Sequence, residues 1–135
     1  MDIKETLRAA RRARTLYETA RRRERELEEQ RIFLHATDYE AIHVSSSGEG
    51  RTVENLALQN DRAHRDSLKR LRQLQRRLET AQRLIDSLDN EQWADVLTRY
   101  YLLGDTWEEV AAGAGYSVRQ VYRIHGDALE WLRRH

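Results

Sequence analysis

Apolar side chains fall every three or four positions from Ile3 to Leu34, through Leu7, Ala10, Ala13, Tyr17, Ala20 and Leu27. A second series runs through Ala57, Leu71, Leu74, Leu78, Ala81, Ile85 and Leu88. Spacing of this kind lays one apolar stripe along a helix. With Arg, Glu and Gln at the remaining positions, it predicts two long helices that pack through a coiled-coil seam. Acid-first pairs four residues apart, such as Asp61–Arg65, Asp66–Arg70 and Glu79–Arg83, support the same helices from the solvent side.

Between the two series, residues 35–51 read HATDYEAIHVSSSGEGR. The SSSGEG portion is turn-rich and is expected to form a flexible loop that stops the helix. The chain can then fold back, and residues whose numbers sum to about 91 should face each other. Ile3 then meets Leu88, Ala10 meets Ala81, Ala13 meets Leu78, Tyr17 meets Leu74 and Ala20 meets Leu71, all apolar pairs. Further along, Glu24 meets Ser67, Leu27 meets His64 and Arg31 meets Asn60, so the polar interruptions of the two helices also coincide. This coincidence favours an antiparallel hairpin within one chain, dry at the end that leads onward and polar at the loop end. The same helices offer a surface through which a homo-oligomer can form.

The last part of the chain is punctuated differently. Asp89 with Gln92, Thr106 with Glu109 and Ser117 with Gln120 follow the capping-box spacing, and Gly104 stands where a helix ending at Leu103 needs a left-handed residue. Helices are therefore expected over 90–103, 107–113 and 118–133. Their apolar residues, among them Trp93, Val96, Leu97, Tyr100 and Tyr101, then Trp107, Val110 and Ala111, then Val121, Ile124, Ala128, Leu129 and either Trp131 or Leu132, are enough to close a three-helix bundle. The second and third helices have the offsets of a helix-turn-helix. Ala111 allows a close crossing, Gly115 four residues later tolerates positive φ, and Tyr116, Val121 and Ile124 return to the core. The expected architecture is all-α: a long antiparallel helical hairpin (coiled coil) over 1–88, followed by a small three-helix helix-turn-helix domain over 89–135.

The side of the last helix that faces away from this core carries the candidate chemistry. Ser117, Val118, Arg119, Gln120, Tyr122 and Arg123 project from its first two turns. Arg and Gln can bond guanine and adenine edges in a major groove, and Ser and Tyr reach phosphates. Double-stranded DNA is the partner this set expects.

Composition narrows the remaining choices. The chain has 135 residues, no proline and no cysteine, so long helices run without their strongest breaker, and disulfide and thiolate–metal chemistry is excluded. No apolar run reaches the length of a membrane span, and the first dozen residues lack an apolar signal core, which predicts a cytoplasmic protein with no membrane partner. The five histidines, His35, His43, His64, His125 and His135, show no metal-ligand spacing, and no phosphate loop or catalytic constellation stands out. The expectation is a non-enzyme without cofactor or metal. Net charge is only +1, but it is unevenly spread: residues 89–135 hold five basic and eight acidic side chains. A DNA binder gains much of its affinity by neutralising phosphates. This domain would need a tether, and RNA polymerase or a second copy of the chain can supply one.

The segment TWEEVAAGAGYSVRQVYRIHGDALEWLRR, residues 106–134, resembles region 4 of bacterial sigma factors, in which a TxxEVA-type helix, a glycine turn and an S-x-R-x-V-x-R recognition helix read a promoter element. The whole order, a charged coiled-coil front, a Gly/Ser stretch and RYYLLGDTWEEVA, is similar to that of small sigma-like regulators of phages and prophages. The resemblance implies that Ser117, Arg119, Gln120 and Arg123 face DNA and that Trp107, Val110, Ala111 and Val121 are core. With no segment resembling a reader of the −10 element, it implies a transcriptional regulator that works with polymerase, not a complete initiation factor. Two other expectations stand beside it: a recognition subunit for viral DNA packaging, and a coiled-coil adaptor whose bundle binds protein.

Overall fold

The computed structural model describes residues 2–40 and 47–135, and its regular structure there is entirely helical. Helix α1 spans Ile3–Glu40 and α2 spans Ser47–Asp86. They form the expected antiparallel hairpin. Three shorter helices follow: α3 (Glu91–Leu97), which continues as a π-helical turn over Thr98–Leu102, then α4 (Trp107–Ala114) and α5 (Val118–Arg134).

The connection between the long helices differs from the expected 35–51 loop. α1 continues to Glu40 and α2 already includes Ser47, Gly48, Glu49 and Gly50. A glycine inside a helix costs only about 1 kcal/mol relative to alanine. No proline flanks this stretch to stop the helix outright. The rest of the expected loop, residues 41–46, His43 included, lies outside the described residues.

Two compact units divide the chain, and they do not follow chain order. One combines Met1–Thr15 with Arg72–His135, and the other is Leu16–Leu71. In the first, Leu7 and Ala10 of α1 and Ala81, Ile85 and Leu88 from the end of α2 onward share one buried cluster with Leu97, Tyr101, Leu102, Ala128, Leu129 and Leu132. The base of the hairpin and the C-terminal helices thus have a common core. Leu132 is the buried one of the last helix's two candidates, and Trp131 is half-buried. A second, smaller cluster of Val96, Val110, Ala111 and Val121 holds α3, α4 and α5 together.

The π turn explains how Leu97 and Leu102, five residues apart, reach the same core. In this turn the N–H of Leu103 donates to the carbonyl of Thr98 at 3.0 Å, an i→i−5 bond. The widened turn carries both Tyr101 and Leu102 inward. Gly104 ends it in the left-handed conformation at φ 81°, as the sequence predicts. The carbonyls left open at the end of this helix are taken by α1. Arg11 donates to the carbonyls of Tyr100 and Asp105, and Arg14 Nε donates to that of Leu102 at 2.6 Å. At the other end of α3 the capping residue is Asn90, not Asp89. Asn90 Oδ1 accepts from the backbone N–H of Gln92 at 2.9 Å and of Trp93 at 3.2 Å. An asparagine caps as well as an aspartate, but the residue three positions after Asn90 is Trp93, so the expected reciprocal capping box with Gln92 does not form.

The second unit is thinner. Its buried side chains among the described residues are Ala20, Leu27 and the polar Ser67. Its register follows the expected pairing within one turn. Glu24 lies beside Ser67, and its Oε1 is 2.6 Å from His64 Nδ1, while Asn60 Nδ2 donates to Glu28. Each residue of an antiparallel helix pair can touch partners one turn apart, so the bonds of His64 and Asn60 reach Glu24 and Glu28, one turn from Leu27 and Arg31. Burial raises the Glu24 carboxyl, but the bonds with His64 and Arg21, together with the nearby Ser67 hydroxyl, outweigh it and hold the group below its usual range. The Ser67 hydroxyl acts there as a dipole, since it forms no hydrogen bond of normal geometry.

Candidate nucleic-acid interface

Helices α4 and α5 are built by their caps. Thr106 and Glu109 bond reciprocally to each other's backbone at 3.2 Å, which starts α4. Gly115, at φ 79°, ends it, and the N–H groups of Gly115 and Tyr116 both donate to the carbonyl of Ala111 at 3.0 Å. Ser117 and Gln120 then form a second capping box and start α5 two residues later. A capped start, a left-handed glycine and a second capped start leave the chain little choice but to turn sharply here. Val121, fully buried, and half-buried Ile124 and Tyr116 fasten α5 across α4.

The six predicted site residues all lie at the start of α5, but they are not equivalent. Arg119, Tyr122 and Arg123 are exposed, on the side opposite Val121 and Ala128. Among the described residues, neither arginine has an ion-pair partner, so both guanidinium groups remain available. Ser117 and Gln120 are also exposed, yet each is engaged in the cap: Gln120 Oε1 accepts the N–H of Ser117 at 2.9 Å. Its amide NH2 remains free, but two-point recognition of a base would require it to leave the cap. Val118 is half-buried against the α4–α5 core. Tyr122 is 51% exposed and meets Trp107 edge-on, with ring centroids 5.4 Å apart. Gly126 shares the outward face, and a Cβ there would meet nothing within 4 Å.

Behind this face lies an aromatic group that spacing alone does not reveal. Tyr100 is stacked on Trp107 with centroids 3.6 Å apart and planes 9° from parallel, and the Arg11 guanidinium lies over the Tyr100 ring at 3.9 Å. His125 meets Trp107 edge-on at 4.9 Å, and its Nε2 is 2.7 Å from the Tyr101 hydroxyl. Burial, with the nearby positive charges of Lys4 and Arg8, pushes the imidazole from 6.5 down to about 4, so it is neutral near pH 7. Burial and the neighbouring Tyr100 push the Tyr101 hydroxyl up to about 12. The sequence did contain one signal of this role, since His125 stands four residues after Val121 and so falls on the core side of α5.

Among the described residues, no three His, Asp or Glu side chains converge to hold a metal, and no helix is long and apolar enough to cross a membrane. No family model, no curated protein and no solved structure matches this chain.

Proposed function

We propose that the chain is a sequence-specific regulator of transcription that binds double-stranded DNA through α4 and α5, in the manner of sigma factor region 4, and acts together with RNA polymerase or as an oligomer. The observation that carries this is the outward face of α5. Arg119 and Arg123 stand there one turn apart without ion-pair partners among the described residues, on a helix whose other side is locked to α4 by Val121. Arginine in this position can make bidentate bonds to guanine, each worth about 1–3 kcal/mol of discrimination. Tyr122 beside them suits a phosphate or sugar contact. Gln120 starts from a cap, so its contribution to base reading is smaller than that of the two arginines.

Selection of bound duplexes from a random pool tests the proposal, run with the full chain and with the Arg119→Ala, Arg123→Ala double variant, each with and without bacterial RNA polymerase. The expected result is a motif recovered by the wild-type chain and lost by the variant. A palindrome would identify a dimer, and a single half-site that needs polymerase would identify a tethered monomer. No motif under any condition would reject the proposal and favour the protein-binding adaptor.

A further inference from the structure

The compact unit that contains α5 also contains the first turns of α1, and a cleft of about 490 Å³ opens where they meet. Lys4, Arg8, Arg11 and Arg12 line it on one side, and Trp107 and His125 on the other. These four cations do different things. Arg11 is committed to the carbonyls of Tyr100 and Asp105 and to the Tyr100 ring. Arg12 is paired with Glu5 at 3.1 Å, with both side chains more than half exposed, a surface pair that exchanges partners at little cost. Lys4 and Arg8 have no ion-pair partner among the described residues. A cleft with two uncompensated cations and no facing carboxylate in its lining is built for an anion.

We infer that this cleft seats a phosphate group, that Lys4 and Arg8 are its principal ligands, and that the phosphate belongs to the DNA backbone beside the face presented by α5. The last part rests on the DNA-binding proposal above. Three observations choose the backbone over a free nucleotide. The Tyr100 ring has Arg11 over one face and Trp107 stacked on the other, so it offers no open platform to a base. Trp107 lines the cleft and also touches Tyr122, so the cleft borders the outward face of α5 directly. The balance of charge completes the case. Residues 89–135 are net acidic, whereas the first fifteen residues carry five basic and two acidic side chains. The start of α1 thus brings to the α4–α5 region the positive charge that the C-terminal segment lacks. Burial, with the positive charges of Lys4 and Arg8 beside it, holds the His125 imidazole neutral at the wall of the cleft.

The test uses the full chain and a Lys4→Gln, Arg8→Gln double variant, whose fold is checked by its thermal melt, since neither side chain is buried. Binding to the selected duplex is measured over a range of salt. Each phosphate contact contributes roughly 0.9 to the slope of log affinity against log salt. The variant should lose about one to two units of that slope, and it should lose affinity for matched and unmatched duplexes alike. In parallel, pyrophosphate is titrated while the His125 ring is followed by NMR. The wild-type ring should shift saturably and its pKa should rise, and the variant ring should do neither. An unshifted ring together with an unchanged salt slope overturns the inference while leaving the reading of DNA by α5 in place. A ring that responds to pyrophosphate in a chain whose DNA affinity is unchanged by the variant, or which binds no DNA, assigns the cleft to a free phosphate ester and overturns its role on the backbone.

Discussion

The two compact units are made from the same two long helices yet are held together by different physics. Where α1 and α2 lie in the first unit, Leu7, Ala10, Ala81 and Ile85 are buried against the C-terminal helices, and Tyr101 and Leu102 fill the space between them. In residues 16–71 the same helices have only each other. Among the described residues there, few side chains are buried, one of them is the serine at position 67, and Ile32, Phe33 and Leu58 stand exposed. A coiled-coil pattern specifies that two helices pair, but the stability of each stretch depends on what else packs against it. The dense unit carries the candidate interface, and the thin unit is the segment expected to open first.

Core truncation should separate the units most strongly. Leu97 is fully buried in the first unit, and Leu97→Ala should cost about 2–5 kcal/mol and lower the urea midpoint of the chain. Leu27→Ala should fall at or below the bottom of that range, because its surroundings are loosely packed and can close around the gap. A larger loss from Leu27→Ala, measured in the same denaturation series, would refute the ranking.

Acid should reverse the order of resistance. His125 has a folded pKa depressed to about 4 against 6.5 when free, so the unfolded chain takes up its proton first. The stability this group contributes is complete above 6.5 and is lost as pH falls towards about 4. Melting temperatures followed down this range should fall for the wild type and stay flatter for His125→Gln. Equal slopes for the two proteins would mean that the buried imidazole is not the source.

The thin unit should respond later and less. The Glu24 carboxyl is held below its usual range, so its contribution is present above the ordinary carboxylate pKa and disappears only as pH falls through the lowered value. Its partners Arg21 and His64 are substantially exposed, so the ion pairs themselves are worth less than about 1 kcal/mol. Glu24→Gln should speed amide exchange within residues 16–71 at neutral pH and leave the amides around Leu97 unchanged. Exchange that quickens equally in both units would show that they open as one.

The hairpin was legible because seam positions repeat at helical spacing in both arms, and the turn of α4 into α5 because Thr106, Gly115 and Ser117 each have one dominant local use. What could not be read depends on contacts between distant parts of the chain. The π turn at 98–102 leaves no periodic trace, since its extra residue simply looks like a wider apolar face. Arg11 and Arg14 look like ordinary solvent-facing arginines of a charged helix, yet they close the end of a helix nearly a hundred residues later. Leu7 and Ala10 serve two partners at once, the other arm and the C-terminal helices, and a seam pattern shows only that a residue is apolar. Gln120 matches both a cap and a base reader, and only the geometry shows that the cap is occupied.

The bonds from Arg11 and Arg14 span sequence separations of 88 to 94 residues. Helical proteins usually fold fast because most of their contacts are local, and a long closing loop removes part of that advantage. During synthesis α1 emerges before the C-terminal helices, and its base cannot complete its packing until the segment around Tyr100 has been made. Until then Leu7 and Ala10 lack their final partners, and the assembly of this core is timed by the arrival of the segment around Tyr100.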